Sequence, residues 1–321
     1  MSPIITVIGA TGVQGGSVVD AALKSGTYKV RAITRKINSD KAKALAARGV
    51  ELAIADLNDE ESLIKAFEGS TAIFAVTDFF EPFAASGTDP EAAQKVEFKQ
   101  GENIANAANK TATLKHLIWS TLPNAVKISN GKTPVPHFDA KAKVDEYIKS
   151  IPSLLAKTTF LSVTFYASVF VFPMYTPNLL KSSGKYVQLQ PTPADVPMSS
   201  IGDASVNVGI FALSILKQPQ LTHGRYVLGA IETTTAGGFL EIFTKATGKP
   251  SAYVQTASLE DFDNVWPNWA RLMGLMMIFF DQYRGEKVWG AENYLTQEDL
   301  GISEGLVSIH DALKTLDWSF L

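Results

Sequence analysis

Ile4-Ile5-Thr6-Val7-Ile8-Gly9-Ala10-Thr11-Gly12-Val13-Gln14-Gly15 is the stretch that decides the fold. An apolar run over 4–8 ends in a glycine-spaced turn, and helical spacing begins at Val13 and continues to about Lys24. Each glycine answers a steric demand. Gly9 permits the tight turn, Gly12 lets backbone approach a pyrophosphate, and Gly15 lets helix and strand pack closely. Phosphates would then rest on unpaired N–H groups at the positive end of the helix dipole. A glycine triplet alone is a weak signal, because many strand-to-helix turns use glycine. Placed after the first strand of an alternating chain, with its spacing intact, it points to a dinucleotide site that also includes Thr11, Val13 and Gln14.

The alternation is clear past that turn. Extended patterns over about 29–34, 50–54, 71–76 and 114–119 are separated by helical patterns over about 40–48, 59–67 and 90–108, and a further helix over 138–149 precedes an apolar stretch at Phe160. Strands and helices in this order make a parallel sheet covered on both faces by right-handed crossovers. The expected architecture is α/β, a Rossmann-type doubly wound parallel sheet over residues 1–155. Beyond it Pro173, Pro177, Pro191, Pro193 and Pro197 break the pattern, and a smaller C-terminal α/β domain is expected over 156–321, with some segments returning to the first sheet. Trp266, Trp269, Met273, Met276, Met277, Phe279, Phe280 and Tyr283 read as a helical core face in preference to ligand contacts.

Composition bounds the chemistry. In 321 residues, 46% apolar and 19% charged residues describe a folded globular chain. Scattered basic residues and a net charge of -3 argue against direct nucleic-acid binding. With no cysteine there is no disulfide, thiolate nucleophile or iron–sulfur cluster, so redox work would need a bound cofactor. The four histidines have no metal-ligand spacing, and His116, His223 and His310 read as packing or surface residues. The chain enters an apolar strand directly after Met1-Ser2-Pro3, which leaves no room for a secretory leader and suggests a cytoplasmic or nuclear protein. The uncharged stretch 158–180 is interrupted by hydroxyls, prolines and Asn178, so a buried strand and helix are expected there in place of a membrane span.

The second strand ends in Ala32-Ile33-Thr34-Arg35-Lys36, roughly twenty residues past the glycine motif, where NAD-specific chains carry an acid for the ribose 2′-hydroxyl. Arg35 instead offers a planar fork for a 2′-phosphate, with Lys36 beside it. The cofactor implied is NADP(H). Asp56, after the third strand, is placed either to accept from an adenine amino group or to cap a helix.

Together with Asp56-Leu57, Val76-Thr77-Asp78-Phe79, His137-Phe138-Asp139-Ala140-Lys141 and Ala194-Asp195-Val196-Pro197-Met198, the glycine turn and Arg35 make the chain resemble the NmrA-like family, atypical short-chain dehydrogenase/reductases. The resemblance runs along essentially the whole chain. It implies a Rossmann domain that binds NADP, with Leu57 and Thr77 at the cofactor, a smaller domain over the cleft, and often a role in sensing nucleotide redox state through protein partners. Neighbouring families are true reductases. A homodimer is compatible with either role.

In a short-chain reductase a Tyr protonates substrate, a Lys four residues later holds the nicotinamide ribose, and a Ser orients the carbonyl. Here His137 stands at the Tyr position, with Lys141 and Ser120, and with Thr121 beside Ser120. The four-residue spacing keeps His137 and Lys141 on one helical face. His137 reads either as a proton donor near neutrality or as a residue that merely lines the cleft. Two function classes follow: an NADP(H)-binding redox sensor or regulator, and an NADPH-dependent reductase of a small carbonyl, imine or activated alkene. The segment 78–97 reads as a long loop that nucleotide binding orders.

Overall fold

The computed structural model describes residues 2–289 and 293–321, the side chains of residues 270, 286 and 287 aside. Six strands of the first half are β1 (Ile4–Val7), β2 (Lys29–Thr34), β3 (Glu51–Ile54), β4 (Ala72–Ala75), β5 (His116–Thr121) and β6 (Thr158–Val163). The later strands are β7 (Phe165–Tyr166), β8 (Asn178–Leu180), β9 (Lys185–Gln190), β10 (Pro197–Gly202), β11 (Tyr226–Gly229), β12 (Glu232–Thr235) and β13 (Ser251–Gln255). The central sheet has seven strands in the order β11-β6-β5-β4-β1-β2-β3, all parallel. The order reverses between β1 and β4, and a ligand crevice opens at the carboxyl ends of strands at such a point.

Helices cover both faces. On one face α1 (Val13–Ser25) buries Val18, Val19 and Ala22 and stops at Gly26, whose φ of 64° turns the chain out of the helix. The same face carries α2 (Asp40–Ala47) at its edge, and the other face carries α3 (Glu60–Phe67), followed after β4 by α4 (Phe80–Ala85) and α5 (Pro90–Lys110). The short α6 (Ala125–Ile128) leads into α7 (Pro136–Lys149). Gly101 of α5 is what lets α7 come close, since a Cβ there would lie 2.3 Å from Val144 Cγ2. That approach brings Glu97, one turn earlier on α5, to Lys141 on α7.

The expected doubly wound sheet is therefore present. Two late elements complete it: β11 pairs beside β6, and the helix Ala204–Lys217 packs on α1, where Gly209 N donates to Ser17 Oγ at 2.8 Å. The rest of the second half builds two three-stranded sheets, β12-β10-β7 and β13-β9-β8. Met273, Met276, Met277, Phe279 and Phe280 are buried in the core between these sheets and their helices. Residues 158–180 form β6, β7, a 3-10 helix (Ala167–Val171) and β8, and no helix among the described residues is long and apolar enough to cross a membrane.

The segment 78–97 departs from expectation, because it is not a structureless loop. Asp78 Oδ1 accepts from Phe80 N, Phe79 and Phe83 are buried, and α4 forms around them. Asp89 then caps α5 by accepting from the N–H groups of Glu91 and Ala92, with Pro90 at the first helical position.

Candidate functional site

A cleft of about 800 Å³ opens along the carboxyl ends of β1, β2, β4, β5 and β6. It gathers the sequence-singled residues: Gly9, Thr11, Gly12, Val13, Gln14 and Gly15 from the first turn, Arg35 after β2, Asp56 and Leu57 after β3, Thr77 after β4, Ser120 on β5, and His137 and Lys141 on α7. Lys36, Glu81 and Tyr166 lie in the same wall.

The glycine turn is tight for the reason read from the sequence. Gly9 has φ of 71°, and a Cβ on Gly15 would lie 2.3 Å from Gly9 O. No side chain caps α1, so its first N–H groups remain as donors for an anionic group. Arg35 sits at the cleft mouth, and its guanidinium forks onto Glu81 of α4, with Nη1 to Oε1 at 2.7 Å and Nη2 to Oε2 at 3.0 Å. The carboxylates of Glu81, Asp56 and Asp78 raise the Arg35 pKa, the Glu81 hydrogen bond most. The sequence stretch 32–36 holds no acid, yet the fold imports one from 46 residues away.

Asp56 is not the cap of α3. That place belongs to Asp59, whose Oδ1 accepts from Glu61 N and Ser62 N. Asp56 Oδ1 instead accepts from Asn58 N at 2.9 Å and Asn58 Nδ2 at 2.8 Å, which holds the loop after β3 against the cleft. Leu57 O accepts from Asn103 Nδ2, tying that loop to α5.

Lys141 is buried, and each of its three protons has an acceptor: Thr77 O at 2.8 Å, Thr77 Oγ1 at 2.9 Å and Glu97 Oε1 at 2.5 Å. Thr77 Oγ1 in turn donates to Glu97 Oε1 at 2.7 Å. His137 lies among Phe79, Phe80 and Phe138 with its Nδ1 lacking a partner. Burial, and secondarily the charge of Lys141, push its pKa down to about 3. Asp139 accepts from Val126 N and Val135 N at 2.9 and 2.8 Å, which fixes the first turn of α7 and with it both residues.

Ser120 Oγ donates to Gln14 Oε1 at 2.7 Å, and Gln14 Nε2 donates to the hydroxyl of Tyr166. Thr121 faces the other way and donates to the buried Asp145 at 2.7 Å. Tyr166, Glu81 and Glu97 were not singled out from the sequence. For Tyr166 a signal existed, a polar aromatic just past the end of the strand expected near Phe160. Glu81 and Glu97 lie within the segment 78–97 that reads as a long loop, with nothing local to mark them.

No group of three or more His, Asp or Glu side chains converges on a metal-binding arrangement among the described residues. His116 and His223 meet edge to face, with ring centroids 4.3 Å apart, away from this cleft, and burial pushes the His116 pKa down to about 3. His310 is exposed beside Asp311.

A seven-stranded parallel sheet with a glycine turn at its reversal point defines a Rossmann-type nucleotide fold. A model of the NmrA-like family matches residues 1–308, and the chain belongs to that family. An NmrA-like family domain-containing protein of Dictyostelium discoideum is 27% identical over 99% of both chains. An NmrA-like family domain-containing oxidoreductase, notA of Aspergillus sp. (strain MF297-2), is 40% identical over 44% of this chain, and the chain spans only 41% of that relative's length. Among solved structures, NmrA, a negative transcriptional regulator in complex with NADP, aligns with a TM-score of 0.76 at 20% identity, covering 98% of this chain and 96% of that one.

Proposed function

We propose that this chain binds NADP(H) and acts as a nucleotide redox sensor or regulator, in the cytoplasm or nucleus, whose shape and partner binding follow nucleotide occupancy. The observation that carries the reading is the state of the reductase positions. Lys141 has no proton to spare, and His137 is a buried neutral imidazole at pH 7, unable to deliver a proton as an imidazolium.

The residues present fit the nucleotide. The missing Cβ of Gly15 and the uncapped start of α1 suit a pyrophosphate held by Gly9, Thr11, Gly12, Val13, Gln14 and Gly15. Arg35 suits a 2′-phosphate, and Asp56 and Leu57 suit the adenosine end. Thr77 and Lys141 would border the nicotinamide ribose, Lys141 exchanging one of its present bonds to reach it. The NADP-bound NmrA, a transcriptional regulator, supports this assignment by its fold. Titration calorimetry with NADPH, NADP⁺ and NAD⁺ tests it, together with NADPH oxidation across ketones, quinones and imines. Tight NADP(H) binding without turnover is expected. An Arg35→Ala variant should lose roughly tenfold in NADP(H) affinity and keep its NAD affinity. A chain that binds no nucleotide ends the reading.

One observation favours the reductase alternative, which the oxidoreductase name of the Aspergillus relative also supports. Gln14 donates to Tyr166 while accepting from Ser120, so in this arrangement the Ser120 hydroxyl proton is engaged by Gln14 and that of Tyr166 is still free to donate. Bound NADPH supplies a hydride to a carbonyl, imine or alkene. Tyr166 would be the hydroxyl that holds a proton at the substrate's developing charge.

A further inference from the structure

Arg35 presents both terminal nitrogens to one partner, and that partner is already an anion. The two bonds to Glu81 run parallel at 2.7 and 3.0 Å, the geometry in which a guanidinium also takes a phosphate. Asp56 and Asp78 stand close enough to act on the same guanidinium, but Glu81 is the carboxylate that touches it. A 2′-phosphate arriving at this fork carries close to two negative charges and cannot share the two nitrogens with Glu81 without strong repulsion.

The Glu81 carboxylate is exposed, but the helix that carries it packs into the protein. Glu81 lies in the first turn of α4, between Phe80 and Phe83, and both rings pack on Trp269. Phe80 stacks on that indole at 5.8 Å and Phe83 meets it edge-on at 5.2 Å. Trp269 borders the helix Ala270–Gln282 of the second half of the chain. The helix that carries Glu81 therefore joins the cleft mouth to that half.

We propose that Glu81 is a built-in competitor for the seat of the 2′-phosphate, so that NADP(H), and not NAD(H), displaces it from Arg35 and loosens α4 from Trp269. The inference rests on the NADP(H)-binding reading and adds to it a residue that sets the specificity and a route by which the phosphate is felt. The pair is half-exposed on both sides, so its strength is that of a surface ion pair, enough to lower affinity for the phosphorylated nucleotide without abolishing it.

The test uses the full chain with NADP⁺ and NAD⁺ as probes. Glu81→Gln should bind NADP⁺ about two- to fivefold more tightly than the parent at low salt, with NAD⁺ affinity unchanged, and the gain should vanish when Arg35→Ala is added. Hydrogen exchange in α4, and the emission of Trp269 read against a Trp269→Phe control, should change on adding NADP⁺ and stay put on adding NAD⁺. An unchanged NADP⁺ affinity in Glu81→Gln, or an equal gain for both nucleotides, overturns the competition. Equal exchange in α4 with the two nucleotides overturns the coupling. If the parent chain binds neither nucleotide, the underlying reading falls with it, whereas binding with no response to Glu81→Gln sinks this inference alone.

Discussion

Lys141 Nζ and Glu97 Oε1 meet at 2.5 Å inside the protein, with the Glu97 side chain fully buried. A buried pair is costly to break from one side, because the surviving charge is left without compensation. Lys141→Met should therefore destabilise the chain by about 3 to 5 kcal/mol. Glu97→Gln should do so too. The double variant should recover part of that loss, since it leaves no charge behind. Urea denaturation of the four proteins checks this, and additive losses in the double variant would show that the two groups do not depend on each other.

His137 offers a second measurement. Its pKa lies near 3, lowered first by burial and then by Lys141. A histidine neutral in the folded state and titrating normally when unfolded adds stability above the unfolded pKa near 6.5, and that stability is lost as pH falls from there towards 3. The ring resonances of His137 should accordingly show no titration between pH 5 and 8. A midpoint near 6.5 would mean that the ring reaches solvent and would restore it as a proton donor.

The contrast between what was legible in the sequence and what was not follows from sequence separation. Gly9 to Gly15 could be read because turn, approach and packing are set within seven residues, and the strand–helix alternation because each element carries its own periodicity. The short helix α4 could not, because Phe79, Phe80 and Phe83 make a helical face only once Trp269 and α7 are there to receive it. The engagement of Lys141 depends on Gly101 letting two helices approach, and the fork of Arg35 on an acid in a distant helix. In each case the residue type was visible and the partner was supplied by the fold. The His137 position shows the same limit. Its spacing to Lys141 held, while its burial, which decides its protonation, came from aromatic rings on α4 and α7.

Asp145 gives a prediction of opposite sign to that of His137. It is buried on α7, accepts from Trp119 Nε1, Thr121 Oγ1 and Tyr226 OH, and has its pKa pushed up to about 7 by burial. A carboxyl with a raised folded pKa contributes stability that is full below its unfolded value near 4 and is lost as pH rises through about 7. Asp145→Asn keeps an acceptor for Trp119 and Thr121 without the charge. It should match the parent near pH 4 and exceed it by up to about 4 kcal/mol at pH 8. Comparing the two proteins cancels the contribution of the histidines. A gap that does not widen with pH would show that Asp145 is ionised throughout at no cost.

Tyr166 and His137 separate the two function classes. If the chain reduces a substrate, some group in the cleft must provide a proton, and such a donor is typically worth about 10² to 10⁴ in rate. The hydroxyl of Tyr166 has a proton left after Gln14 has donated to it, and burial holds its pKa up at about 12, so it stays protonated at neutral pH. His137 has no such proton on a cationic ring at pH 7. On any substrate found in a panel of ketones, quinones and imines, Tyr166→Phe should lower kcat by that order with NADPH affinity nearly unchanged, while His137→Ala should change kcat far less. Ser120→Ala should act through Gln14, which then loses the donor that orients it and frees its amide to turn. A robust activity abolished by His137→Ala and untouched by Tyr166→Phe would reverse the assignment. Absence of turnover across the panel, with NADP(H) still bound, would leave the sensor as the function of this cleft.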